Sequence, residues 1–447
     1  MAAIKISVIG AGSATFSMKL IRDLCLTKSL WGSKVTLMDI DKKRLDMIYD
    51  LATRYVSEIK ADLKIEKTME RKDALEGADF VINTALVGGH DLAEVELEVG
   101  DKYGYFGVAE GDVRGVYNFL QLDFFMELAQ DIEDICPDAW LINLANGPTQ
   151  LEPCTLLTRK TKVKVIGLCH GHCGVYRVAQ VIGINPKEVT FQAPGLNHCI
   201  WLTHFYYRGE DAYPLIDEWI EKKAEEYWKL PQEKQIPELT REAIEQYNFY
   251  GLLPIGDTPT RGGTRERWWI HKGVAGPGKP RPRVPGQRRM FPHLQKVIDE
   301  MFRLAANPSA SLLEKFPPLK SREQVVPIID AITNNSEGKF QVNIPNNGAI
   351  DGIADDVAVE IPALVSKRRV QGIRVGSLPK ILMLFVIYPR ILWMERYLEA
   401  FLSGDKRMLL GLLLLDDRRT KSVEQAKAYL EEILALPFNR KWAERFK

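Results

Sequence analysis

Residues 4–9 (IKISVI) run directly into Gly10-Ala11-Gly12, and the segment beyond the turn places Phe16, Leu20 and Leu24 at helical spacing. A short β-branched strand, a glycine turn and an amphipathic helix, in that order, make the first half of a βαβ unit. The alternation then repeats. Residues 35–40 (VTLMDI), 80–86 (FVINTAL), 140–144 (WLINL) and 163–168 (VKVIGL) read as strands, and 41–60 and 116–135 as helices. These strands are apolar throughout rather than every second residue, as expected where helices cover both faces of a parallel sheet. The expected class is α/β, a Rossmann-like doubly wound parallel sheet.

The pattern changes after about residue 190. Phe205-Tyr206-Tyr207 and a charged, amphipathic stretch at 219–228 come first. Residues 323–362 then read as mixed strand and loop, and 380 to the end as several helices. A chain of 447 residues exceeds what one core usually holds. We therefore expect a dinucleotide-binding domain over 1–190 and an α+β domain over 191–447 that closes the crevice. Residues 261–290 stand apart, with nine basic residues, one acidic residue and ten glycines or prolines, and read as a solvated loop.

Charge and cysteine usage exclude several partners. Sixty basic residues against 59 acidic ones argue against a large nucleic-acid surface and leave room only for a local basic patch. Six cysteines are too sparse for a disulfide scaffold, which favours a reducing, cytoplasmic compartment. The apolar runs at 381–388 and 409–415 fall short of the ~20 residues a membrane helix needs. With Trp393 the run at 409–415 instead suggests a homodimer or higher homo-oligomer.

Two places carry chemistry. The turn Gly10-Ala11-Gly12-Ser13-Ala14-Thr15 has two glycines of the dinucleotide fingerprint, with Thr15 where the third would be. Its small residues let a pyrophosphate approach the backbone at the start of a helix. Asp39, at the end of the second strand, suits a ribose diol and disfavours a 2′-phosphate, so NAD rather than NADP is expected. Farther on, Cys169-His170-Gly171-His172 follows the strand at 163–168 and so reaches the crevice. Four of the seven histidines (His170, His172, His198, His204) and three of the six cysteines (Cys169, Cys173, Cys199) fall between 169 and 204. One cysteine and one histidine could hold a divalent metal with positions left open for substrate. Read alone, each cysteine is equally a small buried apolar residue.

Taken together these segments resemble family 4 of the glycoside hydrolases, the NAD- and divalent-metal-dependent glycosidases that depart from the two-carboxylate mechanism. The resemblance runs through the Gly-x-Gly-Ser turn, Asp39, Asn83-Thr84, the LINLAN segment with Asn146, Cys169-His170-Gly171-His172 and Gly195-Leu196-Asn197-His198. It ends with Asn343-Ile344-Pro345-Asn346-Asn347-Gly348 and Val359-Glu360-Ile361-Pro362, so it covers nearly the whole chain.

The resemblance implies a lactate/malate dehydrogenase-like fold and a role for each residue. Cys169 and His198 match the metal ligands, usually for manganese. Gly10, Gly12, Ser13, Thr15, Asp39 and Asn83 fall to the cofactor. Asp257, in Gly256-Asp257-Thr258, matches the base that removes the sugar C2 proton. Asp112 is a candidate general acid by position. Asn146, His170, His172 and Arg114 are expected at the sugar, with Arg177 a further cation for a carboxylate. The route implied is C3 oxidation, C2 deprotonation, elimination, water addition and re-reduction. The Cys-His-Gly-His version resembles the α-glucuronidases, so the expected partner is a small uronide. An α-galacturonidase or α-glucosidase of the same family, a lactate/malate-type dehydrogenase and a sensor without turnover are the competing readings.

Overall fold

The structure is a computed structural model that describes residues 3–13, 16–105, 117–145, 147, 149–259, 286–367, 369–416 and 419–446. Six parallel strands form its first part. They are β1 (Lys5–Ile9), β2 (Ser33–Met38), β3 (Leu63–Thr68), β4 (Phe80–Asn83), β5 (Trp140–Asn143) and β6 (Lys164–Gly167). Their spatial order is β3-β2-β1-β4-β5-β6, the doubly wound arrangement whose switch point lies between β1 and β4. The α/β expectation holds. β3 escaped the sequence reading because LKIEKT alternates charged and apolar residues at an exposed sheet edge, unlike the buried strands beside it.

The same sheet continues past residue 190 in antiparallel fashion. After β7 (Val189–Gln192) come β8 (Gly195–Leu196), β9 (Cys199–Leu202), β10 (His204–Tyr207) and β11 (Glu210–Asp211). Then follow β12 (Leu253–Ile255), β13 (Gly338–Pro345), β14 (Ala358–Ser366) and β15 (Arg369–Gly372). β13 pairs with β6, and β14, β8, β9 and β12 extend the sheet from there. β7, β10 and β11 make a separate three-stranded sheet. One row crosses four strands: Gly167 on β6 faces Asn343, Asn343 faces Glu360, and Glu360 faces Gly195. This row brings the end of β6 and the β8–β9 hairpin to the same side of the molecule.

Two expectations change in detail. Residues 325–334 (VVPIIDAITN) were expected within a strand-and-loop region but form a helix, Val325–Asn334, whose buried residues repeat at helical spacing. The 261–290 loop is outside the described residues through 285, and its last five residues open the helix Gly286–Ala305. Among the described residues no helix is long and apolar enough to cross a membrane. Of the run expected to drive self-association, Leu409, Leu412 and Leu413 are buried and only Leu414 and Leu415 are exposed, while Leu384, Phe385 and Leu392 are exposed elsewhere along the C-terminal helices.

Candidate active site

The end of the crevice nearest β1 is made by backbone. Gly10 and Ala11 both donate their N–H to Met38 O at 2.9 Å, which lashes the turn to the end of β2. Gly12 N–H donates to Asp39 Oδ2 (2.7 Å), and Asp41 N–H to Asp39 Oδ1 (2.8 Å). Each carboxylate oxygen keeps acceptor capacity, since an ionised carboxylate offers about four sites. Gly10 has φ +82°, and a Cβ there would lie 2.6 Å from the Ala85 backbone. A Cβ on Gly12 would meet Asp39 Oδ2 and Arg44 Cβ at 2.8 Å. Both positions admit only glycine, as a close-approach turn requires. Ser13 donates its N–H to Gly10 O, and Thr15 lies outside the described residues.

Asn83 sits beneath this turn, fully buried. Its Nδ2 donates to Asn143 Oδ1 (2.9 Å) and its Oδ1 accepts from Ala85 N–H (3.1 Å). It therefore shapes the crevice floor instead of projecting into it. From there a polar chain runs toward the other end. Asn143 Nδ2 donates to Gln150 Oε1 (2.7 Å), Gln150 N–H to Asn197 Oδ1 (2.9 Å), and Asn197 Nδ2 to Glu360 Oε2 (2.8 Å).

That second end is made by side chains. Asn197 and His198 are the two-residue loop of the β8–β9 hairpin, in which Leu196 faces Cys199. His198 takes φ +59°, uncommon for a residue with a Cβ. Asn197 holds that conformation, because Arg390 Nη2 also donates to its carbonyl (2.9 Å). His198 is buried, and its Nε2 lies 3.7 Å from Asp257 Oδ2. Asp257 keeps 41% of its side chain exposed, enough to meet a substrate. Cys169 leaves the end of β6 half-buried, whereas Cys173 and Cys199 are buried with thiols pushed up by desolvation. Of the three cysteines only Cys169 is partly open to solvent. Gly171, two residues on, lies against Ile200 and Gly256, which seats the cysteine loop on the strands that carry His198 and Asp257.

His170 is exposed and His172 is buried. Burial, helped by the nearby His170 charge, pulls the His172 imidazole down to about 4, so it is neutral near pH 7. Cys169, His170 and His172 line one cavity with Phe16, Arg322 and Glu323. Arg177 is turned away from the role expected of it, since its Nη2 lies 2.5 Å from the buried Glu238. Asp112, Arg114 and Asn146 lie outside the described residues.

Sequence reasoning missed Arg322, Glu238, Arg390 and the part played by Glu360. Only Glu360 carried a signal, as an acidic residue inside an apolar strand. It is fully buried, and desolvation raises its carboxyl above the ordinary value near 4.5. Among the described residues no group of three or more His, Cys, Asp and Glu is gathered as a metal cluster. A metal here would rest on few side chains, and one thiolate with one imidazole suits a transition metal rather than magnesium or calcium. The glycine cradle, which a Cβ would fill, fits a dinucleotide.

Comparison with known proteins bears on the family and the fold. The chain is 27% identical over 444 residues to an α-glucosidase of Erwinia rhapontici, covering 93% of this chain and 94% of that one. It is 26% identical over 448 residues to an α-galacturonidase of Thermoanaerobacter italicus, covering 92% and 91%. A 6-phospho-α-glucosidase from gut microorganisms, solved with NAD and Mn2+, superposes with a TM-score of 0.81 at 19% identity, covering 99% of both chains. A lactate dehydrogenase from Eimeria maxima reaches a TM-score of only 0.52 at 13% identity, over 90% of this chain and 98% of that one. The model of the family 4 glycosyl hydrolases matches residues 5–184 and that of their C-terminal domain residues 193–419. With both halves matched, the chain belongs to the family 4 glycosyl hydrolases.

Proposed function

We propose that the protein hydrolyses α-glucuronides with NAD and a divalent metal, manganese in the first instance. The observation that carries this reading is His198 and Asp257 meeting at 3.7 Å while Gly171 of the Cys169 loop lies against Gly256. When bound, NAD+ supplies reversible hydride transfer at sugar C3 and the metal supplies polarisation of the C3 oxygen, which together acidify the C2 proton.

The chain's own groups do the rest. Gly10 and Gly12 open the backbone to the pyrophosphate, and Asp39 accepts from the ribose diol. Cys169 and His198 would hold the metal. Asp257 removes the proton at C2. Asp112 is proposed to protonate the leaving oxygen, and Asn146 and Arg114 to contact the sugar, as the family resemblance implies. Residues 1–190 bind the cofactor and 191–447 close over the sugar.

Arg322 supplies the substrate's counter-charge. It is exposed at the mouth of the cavity that Cys169, His170 and His172 line. A guanidinium binds a carboxylate in bidentate fashion, so this cation favours a uronide over a neutral hexoside. The α-galacturonidase relatives favour α-galacturonides as a second reading. The two sugars share the C6 carboxylate and differ at C4.

The test is p-nitrophenol release from the p-nitrophenyl α-glucuronide, α-galacturonide and α-glucoside, with NAD+, Mn2+ and reductant omitted in turn. Glucuronide should be cleaved fastest, and only with both cofactors present. Arg322→Gln should raise KM for uronides about 10- to 100-fold, the worth of a charged hydrogen-bond pair, and leave the glucoside unchanged. Activity without NAD+ would refute the mechanism, and faster glucoside cleavage would refute the substrate.

A further inference from the structure

Glu238 is completely buried within the turn Pro237–Leu239, a segment with no motif of its own. Its Oε1 is the meeting point of two loops. Arg177 Nη2 donates to it at 2.5 Å from the helix Gly174–Ile182, which grows directly out of the Cys-His-Gly-His segment. Gly256 N–H donates to the same oxygen at 3.1 Å, one residue before Asp257. The packing leaves no slack. A Cβ on Gly174 would lie 2.1 Å from Glu238 Oε1, and one on Gly256 would lie 2.6 Å from Gly171 Cα.

The far flank of Asp257 is held as well. Thr258 Oγ1 accepts from Ile200 N–H at 2.8 Å, on the strand that follows His198. Asp257 is thus tied on one side to the loop of Cys169 and on the other to the strand of His198. As a source of stability the pair is a poor choice, because the attraction of a half-exposed Arg177 must offset the desolvation of the fully buried Glu238 carboxylate. Among the described residues Glu238 Oε2 and Arg177 Nε are moreover buried without a hydrogen-bond partner, which adds to the desolvation cost.

We propose that Arg177 and Glu238 are positioning residues that fix the Gly256-Asp257 turn against the Cys169 loop and so set the geometry of proton removal at sugar C2. The inference rests on the reading of Asp257 as the base. Misplacing a reacting group by about 1 Å can cost about 10²-fold in rate, which gives a tether of this kind its leverage.

The experiment follows the holoenzyme with NAD+, Mn2+ and the preferred uronide through two signals. One is exchange of the C2 proton with solvent deuterium, and the other is the rate of hydride transfer from C3. Glu238→Ala should slow C2 exchange by about 10²-fold while hydride transfer and KM stay within about threefold. Glu238→Gln, which keeps an acceptor for Gly256 N–H, should restore most of the exchange. Arg177→Met should slow exchange about tenfold with the same selectivity, and it decides the matter if the alanine variant does not fold. Equal loss in both signals, or a change in melting temperature alone, would make the pair merely structural. Asp257→Asn separates the two ideas. Exchange that survives Asp257→Asn overturns the base assignment and this inference with it. Exchange that vanishes there but persists in Glu238→Ala and Arg177→Met overturns this inference only.

Discussion

At the cofactor end of the crevice, Gly10, Ala11 and Gly12 donate backbone N–H groups to Met38 and Asp39, within about one βα unit of sequence, and only Thr84 and Ala85 among their described close neighbours come from farther along the chain. At the sugar end, Cys169, His198 and Asp257 arrive from three separate strands. Asn197, next to His198, helps to hold them in place, and Glu238, Glu360 and Arg390 do so from farther along the chain. A backbone turn is specified by a few adjacent residues and tolerates change in its surroundings. A crevice of buried side chains is specified by long-range polar contacts, and each of these carries a desolvation cost if its partner is removed. The two ends should therefore fail in different ways.

The largest expected effect lies at the sugar end. Cys169→Ser keeps the size of the side chain but loses the thiolate. On the proposed metal role it should lower kcat/KM by about 10³-fold or more, since electrostatic stabilisation of a developing oxyanion is worth several kcal/mol. Bound manganese, read by atomic emission, should fall in parallel, while NAD affinity stays within about threefold. A variant that keeps its manganese would break the comparison, because the sugar end would then not depend on this side chain.

How much was legible beforehand follows the same division. β1, the glycine turn and Asp39 could be read from sequence because strand, turn and diol acceptor are local signals. Cys169, His198 and Asp257 were found through family resemblance, and the structure places His198 and Asp257 side by side. Glu238 and Arg322 were invisible, since an isolated Glu or Arg in a charged segment reads as a solvated residue until tertiary packing buries it or sets it at a cavity. Arg177 shows the opposite failure. It looked free to bind a substrate acid, and the fold gives it a carboxylate of its own.

The second effect is one of pH. His172 is 8% exposed, and burial lowers its imidazole from 6.5 to about 4. The unfolded chain takes up the proton more readily than the folded one. The stability this contributes is present in full above pH 6.5 and is lost as pH falls from 6.5 toward 4. The whole loss is at most about 3 kcal/mol. Urea unfolding of the protein and of His172→Asn at pH 7.5, 6.0 and 4.5 measures it. The stability gap between them should move steadily in favour of the variant as the solution is acidified. A gap that stays constant with pH would show that His172 does not titrate on unfolding, and the sugar end would then be less distinct from the cofactor end than its burial implies.

The smallest effect tests the cofactor end on its own terms. Gly10→Ala puts a Cβ into the left-handed region at φ +82° and 2.6 Å from the Ala85 backbone. The conformation alone costs about 1–2 kcal/mol, and backbone atoms cannot swing aside as a flexible side chain would. Stability should fall by about 2 kcal/mol, measured by urea unfolding, and the KM for NAD+ should rise as the turn shifts. Manganese binding and the pH dependence of His172 should not change, because the added Cβ crowds only the near end of the polar chain, where Ala85 N–H donates to Asn83, and leaves the Asn83–Asn143 hydrogen bond beyond it in place. If Gly10→Ala also released the metal, the two ends would be coupled through the Asn83–Asn143–Gln150–Asn197 chain, and that chain would be the means by which cofactor occupancy is felt at His198.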